Sequence, residues 1–217
     1  MILLVNIGGA VVGKTTARTL AARGVGKKST APLDLAEVDS LLKFRQYFNI
    51  PATWDGILIT DGSGTTWQKS AGWAGVLIDK RQSQPLGFSG GWSLGTNNVA
   101  ELLAVFQPAM YLAENNFGQK EHGYNLYVVT DSQYVANGLN KLTNGGEDGG
   151  PIWASTRRAN RPLWLGLLGC RRNGINLFGL HVARNTLKSG TFCHNLANRA
   201  RVVVSKRLSR VTPVIDW

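Results

Sequence analysis

Apolar residues recur along this chain with two different periods, and the change between them divides it. Between Leu33 and Phe48, the residues Leu35, Val38, Leu41, Leu42, Phe44 and Phe48 follow a nearly helical spacing. That spacing predicts one amphipathic helix, which Pro51 stops. From Ile57 the pattern is that of strands. Gly56 to Thr60 is a short apolar run ending at Asp61-Gly62-Ser63-Gly64, so a buried strand with a turn after it is expected. Ala71 to Ile78 and Gln84 to Trp92 read as two further strands around the charged turn Asp79-Lys80-Arg81, the pattern of an antiparallel meander.

The helical period returns at Asn98 to Ala113, where Leu102, Leu103, Val105, Phe106, Met110 and Leu112 recur and Thr96 or Asn97 is available as cap. Pro108 inside this stretch predicts a kink or an interruption. Tyr124 to Thr130 is a fourth strand, rich in Val and Tyr, ending at Asp131-Ser132. A short helix is expected at Gln133 to Leu142, a Gly-rich loop at Asn144 to Gly150 and a helix at Leu163 to Arg172. A fifth strand at Ile175 to Val182 and a basic helix at Phe192 to Arg207 follow. The order β-β-β-α-β-α-α-β-α predicts an α/β domain over residues 51–217, preceded at 1–50 by a basic extension and the amphipathic helix.

Composition narrows the partner. With 24 Lys and Arg against 13 Asp and Glu, the net charge is +11, which favours a polyanion through phosphate neutralisation. Hydrophobic residues make up 43% of the 217, and no apolar run is long enough to span a bilayer, so a globular protein off the membrane is expected. Cys170 and Cys193 stand far apart with no paired spacing, which suggests buried free thiols and neither a zinc site nor a disulfide framework. Residues 1–33 hold Lys14, Arg18, Arg23, Lys27 and Lys28 and no acid. Such a start suits a basic tail in a cytoplasmic protein, or a transit peptide in an organellar one.

Two carboxylates, Asp61 and Asp131, fall at the ends of apolar strands, and a third, Glu101, lies in the first turn of the helix between them. Strand ends are where α/β sheets place ligands. Singly, each acid has a structural reading, as a turn residue or as a charge at a helix start. Together, three acids converging would repel unless divalent cations neutralised them, and hard oxygen donors select Mg²⁺ or Mn²⁺. Two such ions about 4 Å apart can activate a water and stabilise the leaving oxygen in phosphodiester hydrolysis.

Gly8-Gly9-Ala10-Val11-Val12-Gly13-Lys14-Thr15 fits the phosphate-loop pattern, and Met1 to Asn6 before it could be a strand. A nucleotide hydrolase needs a full parallel sheet and a second acidic strand, for which the stretch before residue 56 has no room. No nucleotide cofactor is expected.

Four segments resemble the ribonuclease H family of type 1, over roughly residues 56–204. Ile59-Thr60-Asp61-Gly62-Ser63 with Ala71-Gly72-Trp73-Ala74-Gly75 is similar to its first two strands. Thr96-Asn97-Asn98-Val99-Ala100-Glu101-Leu102 is similar to its Thr-Asn-Asn-x-x-Glu-Leu segment, and Thr130-Asp131-Ser132-Gln133-Tyr134-Val135 to its Thr-Asp-Ser-x-Tyr-Val segment. Asn160 to Trp164 resembles the later Asn-x-x-Leu-Trp. The fourth segment departs: where one branch reads His-Val-Pro-Arg and then an Asp before Leu-Ala-Asn-x-Ala, this chain has His181-Val182-Ala183-Arg184 and then His194-Asn195-Leu196-Ala197-Asn198. Matched through Leu-Ala-Asn-x-Ala, His194 takes the place of the fourth acid; another register would put Asn198 there.

The resemblance implies an α/β ribonuclease H-like fold, a five-stranded mixed sheet flanked by helices. It implies an endonuclease that hydrolyses the RNA strand of RNA–DNA hybrids with two ions, Mg²⁺ or Mn²⁺. Asp61, Glu101, Asp131 and His194 would be the catalytic and metal-binding residues. Gly62, Ser63, Asn97, Asn98 and Gln133 would contact the substrate, the last three in the minor groove, where 2′-hydroxyls mark RNA. An imidazole at the fourth position would weaken Mg²⁺ there and favour Mn²⁺. The alternative is a catalytically silent member that binds nucleic acid or sits in a ribonucleoprotein. Arg157, Arg158, Arg161, Arg171, Arg172, Arg199, Arg201, Lys206, Arg207 and Arg210 are candidates for phosphate contacts, and Trp153 and Trp164 are expected in the core. The chain is expected to act as a monomer.

Overall fold

A computed structural model of the chain describes residues 3–6, 14–16, 44–65, 70–93, 95–119, 121–144, 159–183 and 188–211, without side-chain detail at 3–6, 14–16, 188–189 and 206–211. Its elements are β1 (Leu3–Asn6), β2 (Lys14–Thr16), β3 (Gly56–Gly64), β4 (Ser70–Asp79), β5 (Leu86–Ser93), α1 (Asn97–Glu114), β6 (Tyr124–Thr130), α2 (Gln133–Asn144), α3 (Arg161–Arg172), β7 (Ile175–His181) and α4 (Lys188–Val211). Of the helix expected from Leu33 to Phe48, residues 44–48 are described, 44–47 helical and Phe48 in the turn that follows. The rest of that helix, the Gly-rich stretch 145–150, Trp153, Arg157 and Arg158 lie outside the described residues.

The strands form one mixed sheet in the order β2-β1-β5-β4-β3-β6-β7. Five of these strands are the five expected from Gly56 onward, with β3, β4 and β5 antiparallel and β6 and β7 joining β3 in parallel. The amino-terminal segment adds two short strands, β1 running parallel to β5 and β2 antiparallel to β1. Lys14 and Thr15 therefore lie in a strand, opposite Val5 and Leu4, whereas a phosphate loop would set them at a helix start. Residues 8–13 of that motif lie outside the described residues.

Side-chain alternation explains why both faces of the sheet are dry at β3 and β6. Leu58, Leu126 and Val128 point into a core shared with α1, α2 and α3, while Ile57, Ile59, Tyr127 and Val129 point into a second core with Cys193 and Ala197 of α4. Ile50 and Trp54 close that second core from residues 44–54. Strands covered on both faces read as nearly continuous apolar runs, which is the pattern of β3 and β6.

Two expectations change. Of the kink or interruption expected at Pro108, the interruption is absent, and α1 runs continuously through it. Proline removes the hydrogen bond to the carbonyl of Ala104, and that carbonyl faces Gly75 of β4, where a Cβ would stand 3.2 Å from its oxygen and 3.6 Å from the proline ring. The bare glycine leaves room for both. The turn expected at Asp61 to Gly64 is strand instead, because β4 continues to pair with it in the register Asp61↔Ala74, Gly62↔Trp73, Ser63↔Gly72 and Gly64↔Ala71.

Candidate active site

The parallel pairing of β3 with β6 ends at Ile59↔Val129, and both chains continue two residues further to an aspartate. Asp61 and Asp131 thus stand level with one another across neighbouring strands, whose spacing is about 4.8 Å. Asp61 is 5% exposed and Asp131 is half-buried. Thr130, buried, turns the chain after β6 by accepting from the amide of Ser132 at 3.1 Å.

Glu101 arrives from α1, whose start is fixed against β3. Thr96 caps the helix, its hydroxyl accepting from the amide of Val99 at 3.4 Å, and the side-chain oxygen of Asn97 accepts from the amide of Gly64 at 3.1 Å. Glu101 stands just past the first turn of α1 and not within it as expected, and Gly62 lies directly beneath: a Cβ there would collide with the backbone of Glu101 and stand 2.7 Å from the carbonyl carbon of Ala100. Close approach of helix to strand is what carries Glu101, 2% exposed, to the two aspartates. The three acids each bring one carboxylate oxygen to within 4.8 Å of the others. Like charges at such separations oppose one another's ionisation, and a divalent cation removes that penalty. The donor set, carboxylate oxygens only, fits Mg²⁺ or Mn²⁺ and suits softer metals poorly.

On the other face of β3, α4 approaches β4 equally closely at Gly72, where a Cβ would overlap the carbonyl of Ala197 and the backbone of Arg201. His194 and Asn198, one turn apart on this helix, face the site. His194 is the one beside the acids: its Nδ1 is 2.9 Å from Oδ2 of Asp61. It meets them through Asp61 and is not a member of the three-acid group. Its Nε2 is 2.9 Å from Nδ2 of Asn198, so both ring nitrogens have protein partners. Ser63 donates to Oδ1 of Asn198 at 2.6 Å, and Nε of Arg201 donates to the Ser63 hydroxyl at 3.0 Å. Burial, and next the charge of Asp61, push the Cys193 thiol well up beside this network.

The remaining site residues separate by exposure. Asn97, Asn98 and Gln133 are exposed at the starts of α1 and α2, next to the acids. Gly62 is buried under α1, and Ser63 is half-buried with its hydroxyl engaged toward α4. Among the basic residues, Arg172 and Arg199 are exposed. Arg171 instead donates to the carbonyls of Leu142 and Thr143 at 2.8 and 3.1 Å, closing the end of α2. Trp164 is core, 1% exposed, with its Nε1 donating to the Tyr134 hydroxyl at 2.9 Å. The Asn198, Ser63 and Arg201 chain has no local signal in the sequence, since its members meet across 135 and 138 positions.

Residues 55–177 match the RNase H family. The chain is 37% identical over 107 residues to a ribonuclease H from Nitratidesulfovibrio vulgaris (strain DSM 19637 / Miyazaki F), spanning 48% of this chain and 62% of that protein. It is 33% identical over 85 residues to a ribonuclease H from Tropheryma whipplei (strain Twist), spanning 39% of this chain and 45% of that one. It therefore spans less than two thirds of the length of these relatives. Among solved structures, an N-terminal RNase H domain from Mycobacterium tuberculosis superposes with a TM-score of 0.53 at 16% identity, covering 71% of this chain and 99% of that one. LC11-RNase H1, solved in complex with an RNA/DNA hybrid, superposes with a TM-score of 0.52 at 20% identity, covering 69% and 98%. At these identities the structures speak for the fold.

Proposed function

The chain belongs to the ribonuclease H family, and we propose that it hydrolyses the RNA strand of RNA–DNA hybrids as an endonuclease, using two divalent ions held chiefly by Asp61, Glu101 and Asp131. The observation that carries this reading is the meeting of those three carboxylates, two of them buried, within 4.8 Å at one end of the sheet. Asp61, level with Asp131 and hydrogen-bonded to His194 of α4, would contact both ions in this reading. Bound there, Mg²⁺ or Mn²⁺ supplies an activated water and charge neutralisation at the leaving oxygen.

The protein groups divide the remaining work. Asn97, Asn98 and Gln133, exposed beside the acids, contact the minor groove and orient the RNA strand by its 2′-hydroxyls. Glu101 accepts from the 2′-hydroxyl next to the scissile phosphate. Exposed Arg172 and Arg199, with the rest of the +11 charge, hold the backbone without regard to sequence. The hybrid bound by LC11-RNase H1 supports the same substrate here.

Labelled RNA–DNA hybrid, duplex DNA and duplex RNA, each incubated with the protein and Mg²⁺ or Mn²⁺, test the reading. Cutting confined to the RNA of the hybrid, with 5′-phosphate ends, is expected. Cutting of duplex DNA would assign a different nuclease, and tight hybrid binding without cutting would assign the silent binding role.

A further inference from the structure

The hydrogen bonds from Arg201 to Asp61 run in one direction. Nε of Arg201 donates to the Ser63 hydroxyl, and Ser63 donates in turn to Oδ1 of Asn198. The Asn198 amide then turns its donor, Nδ2, toward Nε2 of His194 at 2.9 Å. At the other end an ionised carboxylate can only accept, so Nδ1 of His194 carries the proton it shares with Oδ2 of Asp61 at 2.9 Å. A neutral imidazole has one N–H and one lone pair, and here the lone pair faces Asn198.

From this geometry we propose that His194 is a positioning residue for Asp61 and not a metal ligand, held as the Nδ1–H tautomer by Asn198, Ser63 and Arg201. Neither nitrogen retains a lone pair for a cation. The ring instead fixes the orientation of the Asp61 carboxylate, as a hydrogen-bond donor behind a metal ligand does in metal sites generally. Arg201 and Ser63 thereby act on the site through α4. The part concerning ions rests on the proposed function, since it takes Asp61 to be a metal ligand; the tautomer does not.

The test labels the histidines with ¹⁵N and reads the long-range ¹H–¹⁵N couplings of His194, assigned by His194→Gln, at a pH above ordinary imidazole titration. The Nδ1–H tautomer is expected in the intact protein, with and without Mg²⁺. In Asn198→Leu and in Ser63→Ala the Nδ1–H share should fall without being lost, since Asp61 alone then holds the proton there. Pulsed electron paramagnetic resonance of the Mn²⁺-loaded protein with unlabelled histidines should show no ¹⁴N coupling from an imidazole. An Nε2–H tautomer in the intact protein overturns the proposal, and so does a ¹⁴N coupling that His194→Gln abolishes. Failure to take up Mn²⁺ would instead contradict the metal reading of the three acids, and the tautomer would still decide the role of His194.

Discussion

Gly62 of β3 lies against the backbone of Glu101, with no space between strand and helix for even a methyl group. The contact matters because it sets the depth at which α1 delivers Glu101 to the two aspartates. Gly62→Ala should push the first turn of α1 away from β3. Overpacking of this kind costs about 1–3 kcal/mol, and here it should also weaken Mg²⁺ binding. Gly169, within α3, has nothing within 4 Å of where its Cβ would stand. Gly169→Ala should therefore stabilise the fold by roughly 0.5–1 kcal/mol and leave metal affinity unchanged. Urea denaturation and Mg²⁺ calorimetry on both variants read the contrast.

His194 stands where a fourth carboxylate would add negative charge beside Asp61. His194→Asp should tighten Mn²⁺ and Mg²⁺ binding on the order of tenfold, about 1.4 kcal/mol, because a charged oxygen donor replaces an imidazole whose nitrogens are engaged. The same change should lower stability without metal, since it sets another acid against Asp61. Calorimetric titration and thermal melts in EDTA check the two signs together.

Tyr134 and Trp164 form the polar pin of the α2–α3 packing, with rings 5.7 Å apart at 75°. The Tyr134 hydroxyl accepts from Trp164 at 2.9 Å and donates to the carbonyl of Ala159 at 3.3 Å. Tyr134→Phe removes these two bonds and a third from Nδ2 of Asn160 at 3.4 Å, and should cost about 1–3 kcal/mol. Because neither ring supplies a carboxylate to the three-acid group, Mg²⁺ affinity should hold while the denaturation midpoint falls.

The two thiols give stability a pH dependence. Burial pushes Cys170 up to about 11 and Cys193 higher still. Both are raised in the folded protein, so their contribution is complete below the ordinary thiol value near 9 and is lost as pH rises, because the unfolded chain ionises first. The denaturation midpoint should fall between about pH 9 and 11. Neither thiol should react with iodoacetamide in the folded state at about pH 8, where the thiolate is the reactive species.

What was legible in the sequence follows from how local its cause is. The strand Tyr124–Thr130 was placed end to end, since its residues alternate between two dry cores and leave a continuous apolar signature. The helix α2 runs two residues past the predicted Leu142, because Arg171 from α3 caps its last carbonyls, which no local pattern announces. The strand through Asp61 to Gly64 looked like a turn because Gly and Ser there serve helix approach and not chain reversal. Pro108 looked disruptive because its compensation, Gly75, lies on another strand. Asp61, Glu101 and Asp131 were found through the motifs around them. The roles of Ser63, Asn198 and Arg201 around His194 depend on α4 docking at Gly72, a long-range event.

The central claim is that the three-acid cup holds the ions that cut RNA. The most direct measurement is cleavage of a labelled RNA–DNA hybrid by the intact protein and by Asp131→Asn, each with Mg²⁺, with Mn²⁺ and with EDTA. Cutting by the intact protein with metal, none in EDTA, and a loss of at least about a hundredfold in Asp131→Asn with hybrid binding retained are expected. Cutting that persists in EDTA, or an Asp131→Asn protein as active as the original, would contradict that claim.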